Sequence, residues 1–301
     1  MSVALAPAGT RGLAGAWLEL TKPRIISLVV ITGVPALLLA AGGMPPARVF
    51  WGALIGTLLA AASAASFNMY FDRDVDALMR RTASRPLPSG KIPPMGALGL
   101  GFVLAGFSWV TLLTFTNLLA AAIGLISIFY YAVFYTVWLK RRTPQNIVIG
   151  GGAGASAPLI AWAAVTGGVG PVAWLLAGIV FLWTPPHFWA LALVRHEDYA
   201  RAGIPMLPVT HGEVETRRQI LLYSLVLVPV TLLVWVMGAA GPVYGVPVAL
   251  LGAVFIARAF GLWRRFDVPR AMGLFRFSIL YLFALFLALT ADVIVRGVLA
   301  G

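Results

Sequence analysis

Apolar residues run in long blocks along this chain, broken by short gaps that hold nearly all of its charge. A helix of about 20 apolar residues is long enough to span a bilayer core. Nine such blocks can be read, at roughly 25–41, 49–69, 95–115, 118–138, 146–166, 172–192, 220–240, 243–262 and 274–295. The pattern predicts an all-α polytopic membrane protein, one domain over 1–301, with nine transmembrane helices. Pro35, Pro158, Pro185, Pro186, Pro229 and Pro247 fall inside the blocks, where neighbouring helices and polar side chains can satisfy the freed carbonyls. Gly150, Gly151, Gly152, Gly154 and Ala155 let the fifth helix approach a neighbour or a ligand closely.

Composition agrees and excludes a soluble fold. Hydrophobic residues make up 60% of the 301 and charged residues 11%, against roughly 45–50% and 25% in ordinary globular chains. The mean hydropathy is +0.93. With no cysteine, disulfides, thiolate metal sites, iron–sulfur clusters and cysteine nucleophiles are all ruled out. The first 24 residues, with one early arginine and no strong apolar block, read as neither a signal peptide nor a transit sequence.

The net charge of +12 does not indicate nucleic acid, because the basic residues sit in short gaps rather than on a solvated face. It indicates orientation. Of the 22 Lys and Arg residues, all but Arg48 and Arg296 fall on one side of the predicted spans. That side is cytoplasmic, so segment 1–24 and the N-terminus are inside and the C-terminus is external; the expected location is a bacterial plasma (inner) membrane. Nine of the ten acids lie on the same side, with only Asp292 opposite. The positive-inside rule says nothing about acids, so carboxylates gathered among arginines suggest a site.

At the end of the second block, Asn68, Asp72 and Asp76 are spaced by four, which puts them on one face of a helix while Asp74 points nearly opposite. Three oxygen-bearing side chains without histidine or cysteine suit a hard cation such as Mg²⁺. The alternative is a solvated helix end, which requires no such spacing and leaves polar groups poorly explained near membrane depth. Arg80, Arg81, Arg85 and Lys91 follow, and Lys140, Arg141 and Arg142 lie in the next basic gap. Some of these serve orientation alone. Metal-holding acids beside guanidinium groups also make a diphosphate site.

A second polar cluster closes the sixth block, from Trp183-Thr184-Pro185-Pro186-His187-Phe188-Trp189 to Arg195-His196-Glu197-Asp198-Tyr199. With this cluster the chain resembles the UbiA superfamily of intramembrane prenyltransferases, and within it the branch that farnesylates haem. The resemblance rests on Leu20-Thr21-Lys22-Pro23-Arg24, NMYFDRDVDALMRRTASRPLPSG at 68–90, YTVWLKRRTPQNIVIGGGAGASAPLIAW at 135–162 and WTPPHFWALALVRHEDYARAGIPMLPV at 183–209. It covers most of the chain up to about residue 212. Quinone-forming members carry an aspartate-rich second motif, where this chain has His187 in place of the first aspartate and keeps Asp198 near the last. The resemblance implies a UbiA-like fold, nine helices around a central cavity with cytoplasmic caps over its mouth. It also implies transfer of farnesyl from farnesyl diphosphate to haem b with addition of water, giving haem O, and Mg²⁺ as cofactor. Asn68, Asp72 and Asp76 carry over as metal ligands, Asp198 as a candidate for a second ion, and Arg81, Arg85, Lys140 and Arg141 as diphosphate contacts. A haem A synthase or oxidase assembly protein is the implied recipient of the product.

His187 has two readings: a hydrogen bond to a neighbouring helix, or a haem-side role as propionate contact, iron ligand or proton carrier. Trp189 and Tyr199 border a porphyrin or simply the membrane interface. Arg195 joins them as a haem-side candidate, and Asn146 contacts substrate or caps its helix. Other functions remain on the table. A related prenyltransferase could use a quinone precursor or chlorophyllide. A transporter would place charges in mid-span, and a non-catalytic oxidase assembly factor would not need the Asn-Asp-Asp stripe. Nucleic acid is not an expected partner; the lipid bilayer is.

The charge asymmetry makes a direct prediction. A reporter fused after residue 301 reads external and one inserted in the 80–91 loop reads internal. The reverse pattern would overturn the orientation and move the acid stripe to the other face.

Overall fold

The computed structural model describes residues 12–300, apart from the side chains at 24–26 and 300. Residues 1–11 and 301 therefore lie outside the described residues, and segment 1–24 is described only from Gly12. All regular structure among the described residues is helical. In chain order the elements are α1 (Leu13–Leu20), α2 (Pro23–Ala41), α3 (Ala47–Phe71), α4 (Arg73–Leu78), α5 (Pro94–Phe115) and α6 (Leu118–Phe129). A π-helical stretch, Tyr130–Leu139, continues α6. Then come α7 (Asn146–Gly154), α8 (Ser156–Thr166), α9 (Pro171–Val194), α10 (His196–Arg201), α11 (Leu207–Thr210), α12 (Gly212–Val236), α13 (Pro242–Arg264) and α14 (Val268–Ala300).

Among the described residues, eight helical segments are long and apolar enough to cross a membrane, not nine. The difference is at the first. α2 itself runs Pro23–Ala41, and the part of it with described side chains, Ser27–Ala41, is shorter than the others. The long helices alternate in direction and form a closed ring, in which α14 packs on both α9 and α2. The ends of α3 and the π-helix thereby meet at one end of the bundle.

Packing between α3 and α5 depends on small residues. The buried Ser63 and Ser108 hydroxyls donate across the pair to the carbonyls of Gly101 and Gly56, each at 2.7 Å. Close approach of small residues and interhelical hydrogen bonds replace the hydrophobic drive that lipid removes. A Cβ on Gly101 would stand 2.7 Å from the Phe67 ring, so any side chain there pushes the helices apart.

Two predicted spans are not continuous α-helices. The fifth breaks at Ala155, between α7 and α8. Pro158 supplies no N–H to the Gly154 carbonyl and its ring abuts that turn, and the glycines before it hold a helix weakly. The fourth widens into the π-helix, where Thr136 Oγ1 donates to Tyr131 O at 2.7 Å and Lys140 N to Tyr135 O at 2.8 Å.

At the opposite end of the bundle, Asp292 is fully buried. Its carboxylate accepts from the backbone N–H of Gly241 at 2.7 Å and Tyr244 at 3.3 Å, and pairs with Arg296 at 3.0 Å. The lone acid on that side is thus the cap that starts α13. Replacing it in Asp292→Ala leaves buried donors without a partner, at a cost of about 2 kcal/mol. Thermal unfolding in detergent should show a midpoint several degrees lower, and an unchanged midpoint would refute the capping role.

Candidate active site

The acid stripe survives folding because the chain turns without losing helical register. α3 ends at Phe71, and Asp72 takes φ −90°, ψ 0° between α3 and α4. Even so, Asp72 N donates to Asn68 O at 2.9 Å and Asp76 N to Asp72 O at 2.7 Å. The spacing of four persists across the junction. All three side chains are buried: Asn68 and Asp76 are 3% exposed and Asp72 0%.

Each member of the stripe meets its own cation, from a different part of the chain. Lys22 Nζ donates to Asn68 Oδ1 at 2.5 Å, Lys140 Nζ to Asp72 Oδ2 at 2.5 Å, and Arg85 Nη1 to Asp76 Oδ2 at 2.6 Å. Asn68 Nδ2 also donates to Asp72 Oδ2 at 2.7 Å and to Thr136 Oγ1, on the π-helix, at 3.0 Å. Thr82 closes the Arg85 loop by donating to the Asp76 carbonyl at 2.9 Å. The stripe is therefore a four-element junction of the N-terminal segment, the 79–92 loop, the π-helix and α3.

Lys22 was visible in the sequence only as part of Lys22-Pro23-Arg24. Its backbone holds φ 51°, the one positive φ outside glycine among the described residues. This conformation is uncommon for such a residue, still more so before proline. It carries the ammonium into the junction, where burial and the charges of Arg85 and Lys140 bring its pKa down to about 7. A positive φ cannot be read from sequence.

The remaining diphosphate candidates divide. Lys140 and Arg85 join the stripe. Arg141 instead makes a bidentate pair with Asp74, both contacts at 2.7 Å, on the outer side of α4. That pairing holds the Asp74 carboxyl down near a pKa of about 2 and raises that of Arg141. Arg81 is exposed and lies with Arg85, Arg195 and Asp198 around Tyr199. Burial pushes the Tyr199 hydroxyl up, against the pull of Arg81 and Arg85. Tyr135, on the π-helix, is in Coulombic reach of both Asp72 and Tyr199, so the two polar clusters meet at one mouth.

The buried Asp198 carboxylate contacts Arg201 at 3.3 Å. It does not gather with Asp72 and Asp76, since no three His, Asp or Glu side chains form a metal-sized group among the described residues. Asn146 is buried at the start of α7, donates to Lys140 O at 3.1 Å and leaves its Oδ1 unpaired among the described residues. Trp189 is 1% exposed, packs edge-on against Tyr223 of α12, and has no hydrogen-bond partner for its indole N–H among the described residues.

His187 lies deeper. Its ring is stacked between Trp183 at 4.3 Å and Phe275 at 4.6 Å, and Nδ1 stands 2.7 Å from Ser278 Oγ. The Ser278 hydroxyl donates to Phe275 O at 2.7 Å. With its one proton used there, the hydroxyl accepts from Nδ1–H, and Nε2 keeps the ring's free lone pair.

The helical bundle thus carries a buried Asn-Asp-Asp stripe with a basic side chain on each of its members. The profile of the UbiA prenyltransferase family matches residues 29–291, and the chain belongs to that family. A protoheme IX farnesyltransferase of Parvibaculum lavamentivorans is 49% identical over 290 residues, covering 95% of this chain and 91% of the relative. Another from Acidiphilium cryptum is 50% identical, covering 93% and 90%. Among solved structures, a digeranylgeranylglyceryl phosphate synthase superposes with a TM-score of 0.78 at 20% identity, covering 94% of this chain and 99% of that one. A UbiA homologue from Archaeoglobus fulgidus bound to DMAPP and Mg²⁺ gives 0.62 at 18% identity, covering 92% and 99%. The protein is a multi-pass membrane prenyltransferase.

The two neighbouring basic residues after the π-helix should behave differently. Lys140→Met leaves the buried Asp72 charge uncompensated and costs about 3 kcal/mol. Arg141→Met breaks an exposed pair and costs less than about 1 kcal/mol. Thermal unfolding of the two variants in one detergent compares them; equal losses would contradict the burial difference.

Proposed function

We propose that this chain transfers the farnesyl group of farnesyl diphosphate to a vinyl group of haem b, with addition of water, giving haem O and diphosphate. The observation that carries this reading is the identity of about one half with protoheme IX farnesyltransferases along nearly the whole chain. The geometry supports the diphosphate half of the chemistry. Lys22, Lys140 and Arg85 present three ammonium and guanidinium groups within one buried junction, placed to take the charge of a departing diphosphate.

The stripe fits Mg²⁺. Its donors are an amide and two carboxylates, all oxygen, and Asp72 Oδ1 is buried with no hydrogen-bond partner among the described residues. Asn68, Asp72 and Asp76 are the residues that would hold the ion. Bound there with substrate, Mg²⁺ supplies positive charge to the leaving diphosphate. Asp198 stays a candidate for a second ion on its own, paired with Arg201 until then.

As the C1–O bond breaks, the electron pair leaves with the diphosphate and the allylic cation is attacked by the vinyl carbons of haem. Water then adds to the new cation and loses a proton. Tyr131 and Tyr135 of the π-helix lie within Coulombic reach of Asp72, and aromatic faces shield such cations. His187 we assign to the haem side, where the free Nε2 lone pair accepts a proton or contacts haem while Ser278 fixes the ring. Tyr199, Arg195 and Arg81, around the mouth, are proposed contacts for the anionic edge of haem or for diphosphate, and Asn146 positions Lys140 through its carbonyl. Trp189 faces α12, which favours packing for it. The reaction would run in the bacterial plasma membrane with the stripe on the cytoplasmic side, and hand haem O to a haem A synthase or an oxidase assembly protein.

Purified protein given haem b, farnesyl diphosphate and Mg²⁺ should yield a product with the mass of haem O, and no such product under any Mg²⁺ supply would reject the proposal. Asp72→Asn and Asp76→Asn should cut turnover by at least about 100-fold while the protein stays folded. His187→Gln should lower haem O formation at unchanged farnesyl diphosphate binding. Normal haem O formation by that variant would reduce His187 to packing.

A further inference from the structure

The turn between α13 and α14 carries a second basic feature that the reaction does not use. A cavity of about 550 Å³ opens on the outer surface there, lined by Val254, Arg258, Gly261, Pro269, Arg270 and Gly273. It lies across α14 from His187: Phe275 and Ser278 of α14 face His187, while Gly273 and Phe277 face Arg258 of α13.

Arg258 is the unusual member. It stands six residues before the end of α13 at Arg264, roughly 9 Å inside by helical rise. It is exposed on the outer face and its guanidinium lies 4.9 Å above the Phe277 ring. Among the described residues it makes no ion pair, whereas Arg270 is paired with Asp267 at 2.8 Å. A guanidinium at this depth on a lipid-facing surface is costly unless an anion or water meets it. The space beside it is open: a Cβ on Gly261 would meet nothing within 4 Å, and one on Gly273 would touch only Arg258 Nη1, at 3.4 Å.

The surroundings set the depth. Phe260 and Trp263, 45% and 40% exposed, flank the last turn of α13 as interfacial aromatics do. Leu250 and Val254, also exposed, lie on the Arg258 face of α13 at spacings of four, so an apolar track leads from the cavity toward the membrane centre. A basic head on an apolar track at the interface matches one chemistry.

We propose that this cavity binds the phosphate headgroup of an anionic phospholipid, with Arg258 and Arg270 as its ligands and an acyl chain along Leu250 and Val254. The site is independent of the prenyl transfer reaction and tests separately from it.

The experiment uses the full-length protein in nanodiscs of equal phosphatidylglycerol and phosphatidylcholine, with retained lipid counted by native mass spectrometry. The wild type should retain phosphatidylglycerol in preference to phosphatidylcholine. Arg258→Gln should reduce that preference roughly fivefold, the effect of about one arginine–anionic lipid contact, with its unfolding midpoint as the folding control. Gly273→Leu fills the space beside Arg258 while keeping both arginines in the chain, and it should reduce retention as well. Equal retention of the two lipids by the wild type would overturn the proposal, as would undiminished preference in both variants. Displacement of the lipid by millimolar inorganic phosphate would show a soluble-anion site instead and likewise reject it.

Discussion

Two buried carboxylates, at Asp72 and Asp76, set the terms for everything at the active end of this protein. In a low-dielectric interior an unpaired carboxylate is too costly to keep, so each must meet a cation or a metal. Neither finds one on its own helix. Lys140 comes from the segment after the π-helix, Arg85 from the loop after α4, and Lys22 reaches the neighbouring Asn68 from the N-terminal segment. The electrostatic need of one stripe thus pins three separate segments to the end of α3. It also gathers three basic side chains into one buried junction.

The irregular helices follow from the same junction. A π-helix has a wider turn than an α-helix and is found mostly where function outweighs regularity. Here it brings Thr136 onto Asn68 and delivers Lys140 to Asp72. The partner of that wide turn is the glycine-rich α7. A Cβ at Gly150 would stand 2.5 Å from the Tyr135 ring, and one at Gly152 3.0 Å from the Tyr130 hydroxyl. The glycines leave room for the tyrosines, and the Tyr130 hydroxyl donates to Ile149 O at 2.5 Å. Close helix approach and π-helical geometry are one adaptation seen from two sides.

The other end of the bundle is organised differently. There a single acid, Asp292, caps α13 and is held by Arg296, whose remaining donors reach the carbonyls of Gly238 and Ala239. Charge at that end closes helix termini, whereas at the active end it is concentrated on side chains that face one another.

The sequence by itself determined the membrane class, the helical architecture and the Asn68-Asp72-Asp76 stripe, because hydrophobic run length and the helical period are local properties. It also marked Lys140 and Arg85 as basic residues near acids. It missed the short helix α1, whose Ala16 and Leu20 bury against Met69, Leu87 and Ile92 from distant segments. Tertiary structure alone decided which cation meets which acid. Arg141 and Lys140 are adjacent and equally basic, yet one pairs with exposed Asp74 and the other with buried Asp72. Lys22 entered the site only through a left-handed backbone turn, and His187 acquired its tautomer from Ser278, 91 residues away. Periodicity fixes the face a side chain occupies along its own helix; only the packing of separate helices fixes what stands opposite.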